Sequence, residues 1–262
     1  MFKPPCPILL SIVLELTYSQ ATIVLVAYFF AAMTKGLTGL GFSTTCLPII
    51  VFALGLKEAL PLVIIPSIYS NLIVMRQVGR FNEAVLRFWP MLVATLPGLA
   101  VGLWVLTWID GMLAGVVFGV VLLLWCAFSF AKPELHLAPK FERPLSPFSG
   151  FLTGIINGAT GSQVMPVVPF MMSLKLGRDL FIQGINCSFT MSSLVMALGL
   201  AKLGFFSWED ILISSLGIGL VFLGLRVGTT IRHLLSEKVF HNAILGMLTV
   251  MGISLILPIL NN

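Results

Sequence analysis

Residues 35–48 read KGLTGLGFSTTCLP, a stretch in which three glycines and four hydroxyl side chains interrupt an apolar run. The apolar run before the glycines, residues 17–37, is long enough to cross the ~30 Å hydrocarbon core of a bilayer as a helix. The run after them, residues 44–55, spans only ~17 Å at ~1.5 Å per residue. We therefore predict a half-helix in a broken or re-entrant hairpin, because non-helical backbone at membrane depth must line a cavity or pack against protein.

A related stretch occurs in the second half of the chain. Residues 153–166 read TGIINGATGSQVMP and lead into another short apolar run, residues 164–174. Gly36 and Gly154 stand at the same distance before Pro48 and Pro166. Further along each half, GLAVG at residues 98–102 parallels GLRVG at residues 224–228. Two glycine-rich matches in the same order indicate an internal duplication.

Composition places the chain in a membrane. It has 58% hydrophobic and 10% charged residues, whereas soluble domains have roughly 25% charged residues. The long apolar runs also exclude a β-barrel, whose strands alternate apolar and polar positions. The remaining runs cover residues 58–79, 83–107, 111–131, 148–160, 178–203, 208–232 and 237–260. We predict an all-α integral membrane protein with about eight hydrophobic helical segments in two inverted repeats.

The domain boundaries follow from a polar, proline-containing stretch between the halves. Residues 132–147 have the composition of a solvated loop and are predicted to be a cytoplasmic linker. Residues 1–131 then form the first transmembrane repeat, and residues 148–262 form the second.

Charged residues predict the orientation of the two halves. If both hairpins are re-entrant, one side receives Asp110, Lys202, Glu209 and Asp210. The other side receives Arg76, Arg80, Arg87, Lys132, Lys140, Arg143, Lys175, Arg178, Arg232 and Lys238. This division obeys the positive-inside rule and inverts the halves relative to each other. The alternative, in which each broken pair is a full crossing, places Arg232 and Lys238 outside and is less favoured.

The glycine and proline patterns resemble a known family. The glycine-rich break before a proline-containing short helix in each half, the Leu56-Lys57-Glu58-Ala59 start of the next helix and the GLAVG element are similar to those of the sulfite exporter TauE/SafE family, the 4-toluene sulfonate uptake permease-like transporters. The resemblance covers nearly the whole chain. It implies a multi-pass protein of the bacterial inner membrane that exports sulfite, sulfoacetate, sulfolactate or a similar organosulfonate.

Candidate anion-binding residues lie at the two breaks. Helix N-termini present free N–H groups and partial positive charge, so the short helices are expected to meet an anion at the midplane. The predicted substrate-binding set is Lys35, Thr38, Ser43, Thr44, Asn157, Thr160, Ser162, Gln163, Asn186 and Arg226. Hydroxyl groups that only cap their own helices are the alternative for the members at the helix starts.

Two cations carry most of the functional prediction. Lys35 ends an apolar helix just before the glycine break, where burial costs at least ~2.5 to 3.5 kcal/mol unless the charge is paired or faces a cavity. Arg226 stands in the second repeat where Ala100 stands in the first. The alternative for both residues is a side chain that snorkels to the membrane surface.

Other functions have less support in the sequence. The apolar segments contain no metal-ligand cluster, carboxylate pair or nucleophile with a base, so no enzyme activity, metal site or cofactor is predicted. Scattered basic residues argue against a nucleic-acid partner. The expected partners are the small anion, the lipid bilayer and a possible second copy in a homodimer. Import of thiosulfate, an organosulfonate or a small carboxylate, and a membrane assembly factor without substrate, remain alternatives.

Overall fold

The computed structural model describes residues 18–131, 134–205, 207–231 and 237–260, and these residues are almost entirely helical. Lys132 and Arg232, which the charge pattern assigns to the basic side, lie outside the described residues. In chain order the helices are α1 (Tyr18–Thr38), α2 (Phe42–Leu54), α3 (Leu56–Val78), α4 (Phe81–Trp108), α5 (Gly111–Ala131), a 3-10 turn (Pro139–Phe141), α6 (Glu142–Thr160), α7 (Val167–Ser173), α8 (Arg178–Lys202), α9 (Trp208–Leu216), α10 (Ile218–Ile231) and α11 (Glu237–Leu260).

Length and composition of these helices confirm the predicted fold class. Among the described residues, seven helical stretches are long and apolar enough to cross a membrane, with α9 and α10 counted together. Between them lie the short helices α2, of 13 residues, and α7, of 7 residues. Neither reaches the ~30 Å needed for a crossing, so both breaks predicted from the glycines are present.

Two predicted boundaries differ from the structure. Helix α6 begins at Glu142, so residues 142–147, assigned to the linker, are helical. Pro144 lies in the first turn, where its missing N–H removes no helical hydrogen bond, and the helix tolerates it. The predicted run 208–232 is divided at Gly217 into α9 and α10.

The closest helix packing joins the two halves of the chain crosswise. Gly98 and Gly102 of α4 lie against α6, where an added Cβ would come within 2.1 Å of Phe151 O and 2.2 Å of Ile155 O. In the other pair, Gly224 and Gly228 of α10 lie just as close to α1. Small residues four apart therefore let each pair of backbones approach directly, as membrane helices with small-xxx-small patterns do.

These contacts set a register between the halves that differs from the sequence alignment. Gly36 meets Leu225, Gly228 and Thr229, and Gly158 meets the corresponding Leu99, Gly102 and Leu103 of the first half. Gly36 therefore corresponds to Gly158 and not to Gly154. The alignment on the prolines failed because Pro48 lies ten positions after Thr38, whereas Pro166 lies only six positions after Thr160.

Two hydrogen bonds from neighbouring helices replace the one that Pro66 removes from helix α3. Pro66 has no N–H to donate to the carbonyl of Leu62, four residues earlier. The Tyr28 hydroxyl donates to that carbonyl at 2.6 Å and the Ser214 hydroxyl donates to it at 3.0 Å. The Leu62 carbonyl, which has no donor within its own helix, thus links α3 to α1 and α9 through hydrogen bonds. These bonds position the polar residues that follow Pro66.

Candidate functional site

Within the part of the chain that the structure describes, three cavities near the two breaks are relevant to the predicted site. The lysine cavity, of about 530 Å³, is bounded by Lys35, Gly39, Tyr69, Gln77, Ile182 and Arg226. The central cavity, of about 20 Å³, is bounded by Ser43, Ser67, Asn157, Gly161, Gln163 and Ser193. The apolar cavity, of about 640 Å³, is bounded chiefly by Thr38, Thr44, Trp125, Val168, Phe189 and Leu245. Seven of the ten residues predicted to form one site are therefore distributed among the three cavities, and the other three line none of them.

Lys35 is buried at the inner end of the lysine cavity. Its side chain is only 1% exposed, although it is charged and lies in the last turn of α1. The ammonium donates to Asn71 Oδ1 and, at 3.3 Å, to Ser70 Oγ, both on α3. An ammonium has three protons and these partners take two, which leaves one donor for an occupant of the cavity.

No carboxylate offsets the Lys35 charge. In the part of the chain that the structure describes, the ion pairs are Arg80 with Glu83 and Arg87 with Glu142, and none includes Lys35. Arg226, at the exposed edge of the same cavity, is also free of an ion pair and lies 5.2 Å from the Phe222 ring centroid. The cavity therefore has two positive groups and no acidic lining residue, which favours an anion.

The central cavity collects neutral polar groups from both halves. Ser43, in the first turn of α2, bonds to Ser67 of α3 at 2.8 Å. Gln163, in the second break, donates to Ser193 of α8 at 2.9 Å. Asn157, in the last turn of α6, completes the lining. The structure thus brings Ser43, Asn157 and Gln163 of the predicted set together.

Leucine side chains and a glycine close the central cavity. Gly161 has φ of 74°, a left-handed conformation that ends α6. A Cβ at this position would come within 2.3 Å of Leu60 Cδ2 and 2.8 Å of Leu47 Cδ2. The absence of a side chain at Gly161 therefore lets the second break pack directly against α2 and α3.

The apolar cavity includes Thr38 and Thr44 on its polar wall. The Thr38 hydroxyl donates to Thr34 O at 3.1 Å, so its hydrogen bond is made within its own helix. Gly41 caps α2 without a side-chain hydrogen bond, which leaves the first N–H groups of that helix available. His241 and several aromatic and aliphatic side chains line the rest.

The other predicted residues have structural contacts and do not line these cavities. The Thr160 hydroxyl donates to Ile156 O at 2.6 Å, and the Ser162 N–H donates to Thr160 Oγ1 at 3.2 Å. The Asn186 amide donates to Ile182 O and Gly39 O, which joins α8 to the first break. Thr160 was predicted at the start of a short helix, but it lies in the last turn of α6 and bonds within that helix.

Ser70 and Ser193 were not predicted as site residues. Ser70 accepts a hydrogen bond from Lys35, and Ser193 accepts one from Gln163. The available signal was polar residues in long apolar helices, which are costly in a membrane without a partner. Asn71, which accepts from Lys35, and Ser67, which lines the central cavity, carry the same signal.

Comparison with known proteins agrees with the residue patterns. No curated protein and no solved structure matches the chain. The family model described as Sulfite exporter TauE/SafE matches residues 24–255, from within α1 to within α11. This range contains both breaks, both crosswise helix pairs and all three cavities. The chain belongs to the sulfite exporter TauE/SafE family, a family of multi-pass inner-membrane transporters of sulfur-containing anions.

Proposed function

We propose that this transporter exports a small sulfur-containing anion and that Lys35 binds the anion on its way out. The observation that carries the proposal is a buried ammonium with neutral partners and no carboxylate. A lysine inside a membrane costs at least ~2.5 to 3.5 kcal/mol unless it is paired or faces a cavity. A transported anion in the lysine cavity offsets this cost, and Arg226 at the cavity edge attracts it.

The position of the lysine cavity supports capture from the cytoplasm. Its exposed polar lining residues, Gln77, Arg226 and Thr229, lie near the last turns of α3 and α10. Arg76 and Arg80 are at this end of α3, so the positive-inside rule assigns it to the cytoplasm. The inside-negative potential then favours outward movement of an anion by ~2.3 kcal/mol per charge per 100 mV.

Cavity size admits the proposed substrates. At about 530 Å³, the lysine cavity is much larger than the roughly 30 Å³ share of one water molecule in the liquid. Sulfite, sulfoacetate and sulfolactate therefore fit together with water.

The test combines binding and transport in the Lys35→Met variant. Thermal stabilisation of the purified protein by sulfite, sulfoacetate, sulfolactate, thiosulfate and lactate identifies the anion, and efflux from proteoliposomes gives the direction. Methionine keeps the apolar stem and removes the charge. We expect a higher melting temperature without ligand, because an unpaired buried charge is gone, together with loss of the anion-dependent shift.

A matched control is Lys140→Met, which removes an exposed lysine on the predicted cytoplasmic side. This variant should retain the anion shift and the efflux rate. Retention of full anion binding by Lys35→Met would refute the proposed site. Uptake without efflux in oriented liposomes would replace export by import, and the absence of any anion response in the unaltered protein would favour an assembly factor.

A further inference from the structure

The central cavity contains polar groups that the anion site does not use. Asn157 is 1% exposed, and neither its Nδ2 nor its Oδ1 has a hydrogen-bond partner in the structure. Gln163 is 7% exposed, and its Oε1 is also unpartnered. Buried carbonyl oxygens without a donor are costly, so these atoms indicate an occupant.

Five side chains that carry an oxygen line this space, together with apolar side chains. Ser43 and Ser67 come from the first half of the chain, whereas Asn157, Gln163 and Ser193 come from the second half. All five side chains are neutral, and the last turn of α6 adds the partial negative charge of a helix C-terminus. In membrane transporters, half-helix C-termini and exposed carbonyls are the groups that coordinate Na⁺.

The volume limits the occupant to the size of one atom or one water molecule. About 20 Å³ exceeds the roughly 10–15 Å³ required for a single water and excludes a polyatomic oxyanion in this conformation. Divalent Ca²⁺ and Mg²⁺ bind with carboxylates, and the lining has none. A desolvated monovalent cation satisfies both the size and the neutral oxygen set.

We propose that the central cavity is a Na⁺ site, with Asn157 Oδ1, Gln163 Oε1 and the hydroxyls of Ser43, Ser67 and Ser193 as ligands. Both halves of the chain supply ligands, so a bound ion stabilises the arrangement in which the breaks are packed together. The site is separate from Lys35, and Na⁺ binding does not require that the proposed anion or direction be correct.

The experiment measures Na⁺ binding to the purified full-length protein in choline buffer. Saturable ²²Na⁺ binding and a rise in melting temperature with NaCl are expected, with a weaker response to KCl and none to further choline chloride. Asn157→Ala and Ser193→Ala should each weaken Na⁺ binding at least tenfold. Asn157→Ala leaves no group unpaired, since the amide has no protein partner, so the variant should fold.

Two controls separate this site from other effects. Ser149→Ala removes another buried, unpartnered hydroxyl of α6 outside the cavity and should keep full Na⁺ binding. Lys35→Met should lose the anion response and keep the Na⁺ response. Absence of saturable ²²Na⁺ binding, or equal melting shifts with Na⁺, K⁺ and choline, would overturn the proposal and leave an ordered water as the occupant.

Discussion

The ends of α1 and α6 have the same backbone structure and different chemistry. In α1, the Gly39 N–H donates to Lys35 O at 2.7 Å, and the Leu40 N–H donates to Thr38 Oγ1 at 3.2 Å. In α6, the Gly161 N–H donates to Asn157 O at 2.6 Å, and the Ser162 N–H donates to Thr160 Oγ1 at 3.2 Å. The matched threonine and glycine thus end both helices in the same way.

The side chains at the corresponding positions differ in charge and surroundings. Lys35 faces a cavity of about 530 Å³, whereas Asn157 faces one of about 20 Å³. A charge is tolerated only where water or an anion can reach it, so the wide cavity accompanies the lysine. The comparison teaches that a repeated backbone can support an anion site in one half and a neutral, closed site in the other.

The largest expected effect comes from placing the charge in the closed half. Asn157→Lys puts an ammonium beside a cavity with room for one water, so the folded state should lose at least ~2.5 to 3.5 kcal/mol. The measurement is the free energy of unfolding in mixed detergent micelles, in sodium-free buffer. Asn157→Leu is the control, because it fills similar space without charge and should remain folded.

An Asn157→Lys protein as stable as the unaltered one would break the comparison. It would mean that the second half accepts a charge as readily as the first and that the central cavity opens to water.

A smaller effect tests whether the two crosswise helix pairs are packed alike. In Gly102→Ala and Gly228→Ala, the new Cβ lies 2.2 Å from Ile155 O and 2.2 Å from Met33 O. Backbone cannot move aside cheaply, so each variant should lose about 1–3 kcal/mol of unfolding free energy, and the two losses should agree. Unfolding in the same micelles provides the measurement.

Gly115→Ala is the matched control, since an added Cβ there meets nothing within 4 Å and alanine is the better helix former. Loss of stability in only one of the two glycine variants would show that the pairs differ in packing as well as in charge.

The smallest effect concerns an ion pair present in one helix pair. Arg87 of α4 donates to Glu142 of α6 at 2.7 Å and 2.9 Å, and among the described residues no ion pair joins α1 to α10. Both side chains are partly exposed, so Glu142→Gln should cost less than about 1 kcal/mol. The difference should shrink at high salt, and a loss independent of salt would contradict a surface ion pair.

Much of the fold could be predicted because its signals are local. Apolar runs predicted the membrane helices, and the glycines before Pro48 and Pro166 predicted both breaks. The start of α6 was predicted less well, because Pro144 is typical of a loop and yet the first turn of a helix tolerates proline. The alignment of Gly36 with Gly154 failed because the second break is four residues shorter between its threonine and its proline.

The candidate site was predictable in its residue types and less so in its arrangement. Lys35 was identified as a buried charge that needs a partner, and the structure buries it. Its neutral partners Ser70 and Asn71 lie 35 and 36 residues along the chain, on a different helix, so no local sequence pattern pairs them with Lys35.

The sequence by itself determined that this chain is an all-α membrane protein, because hydropathy acts within single helices, and its glycine and proline patterns identified the family to which it belongs. Only the tertiary structure decided that Lys35 and Arg226 share one cavity and that Ser43, Asn157 and Gln163 share another. The physical reason is that the cavity a side chain faces depends on the rotation of each helix about its axis. That rotation is set by glycine contacts between the two halves, α1 with α10 and α4 with α6.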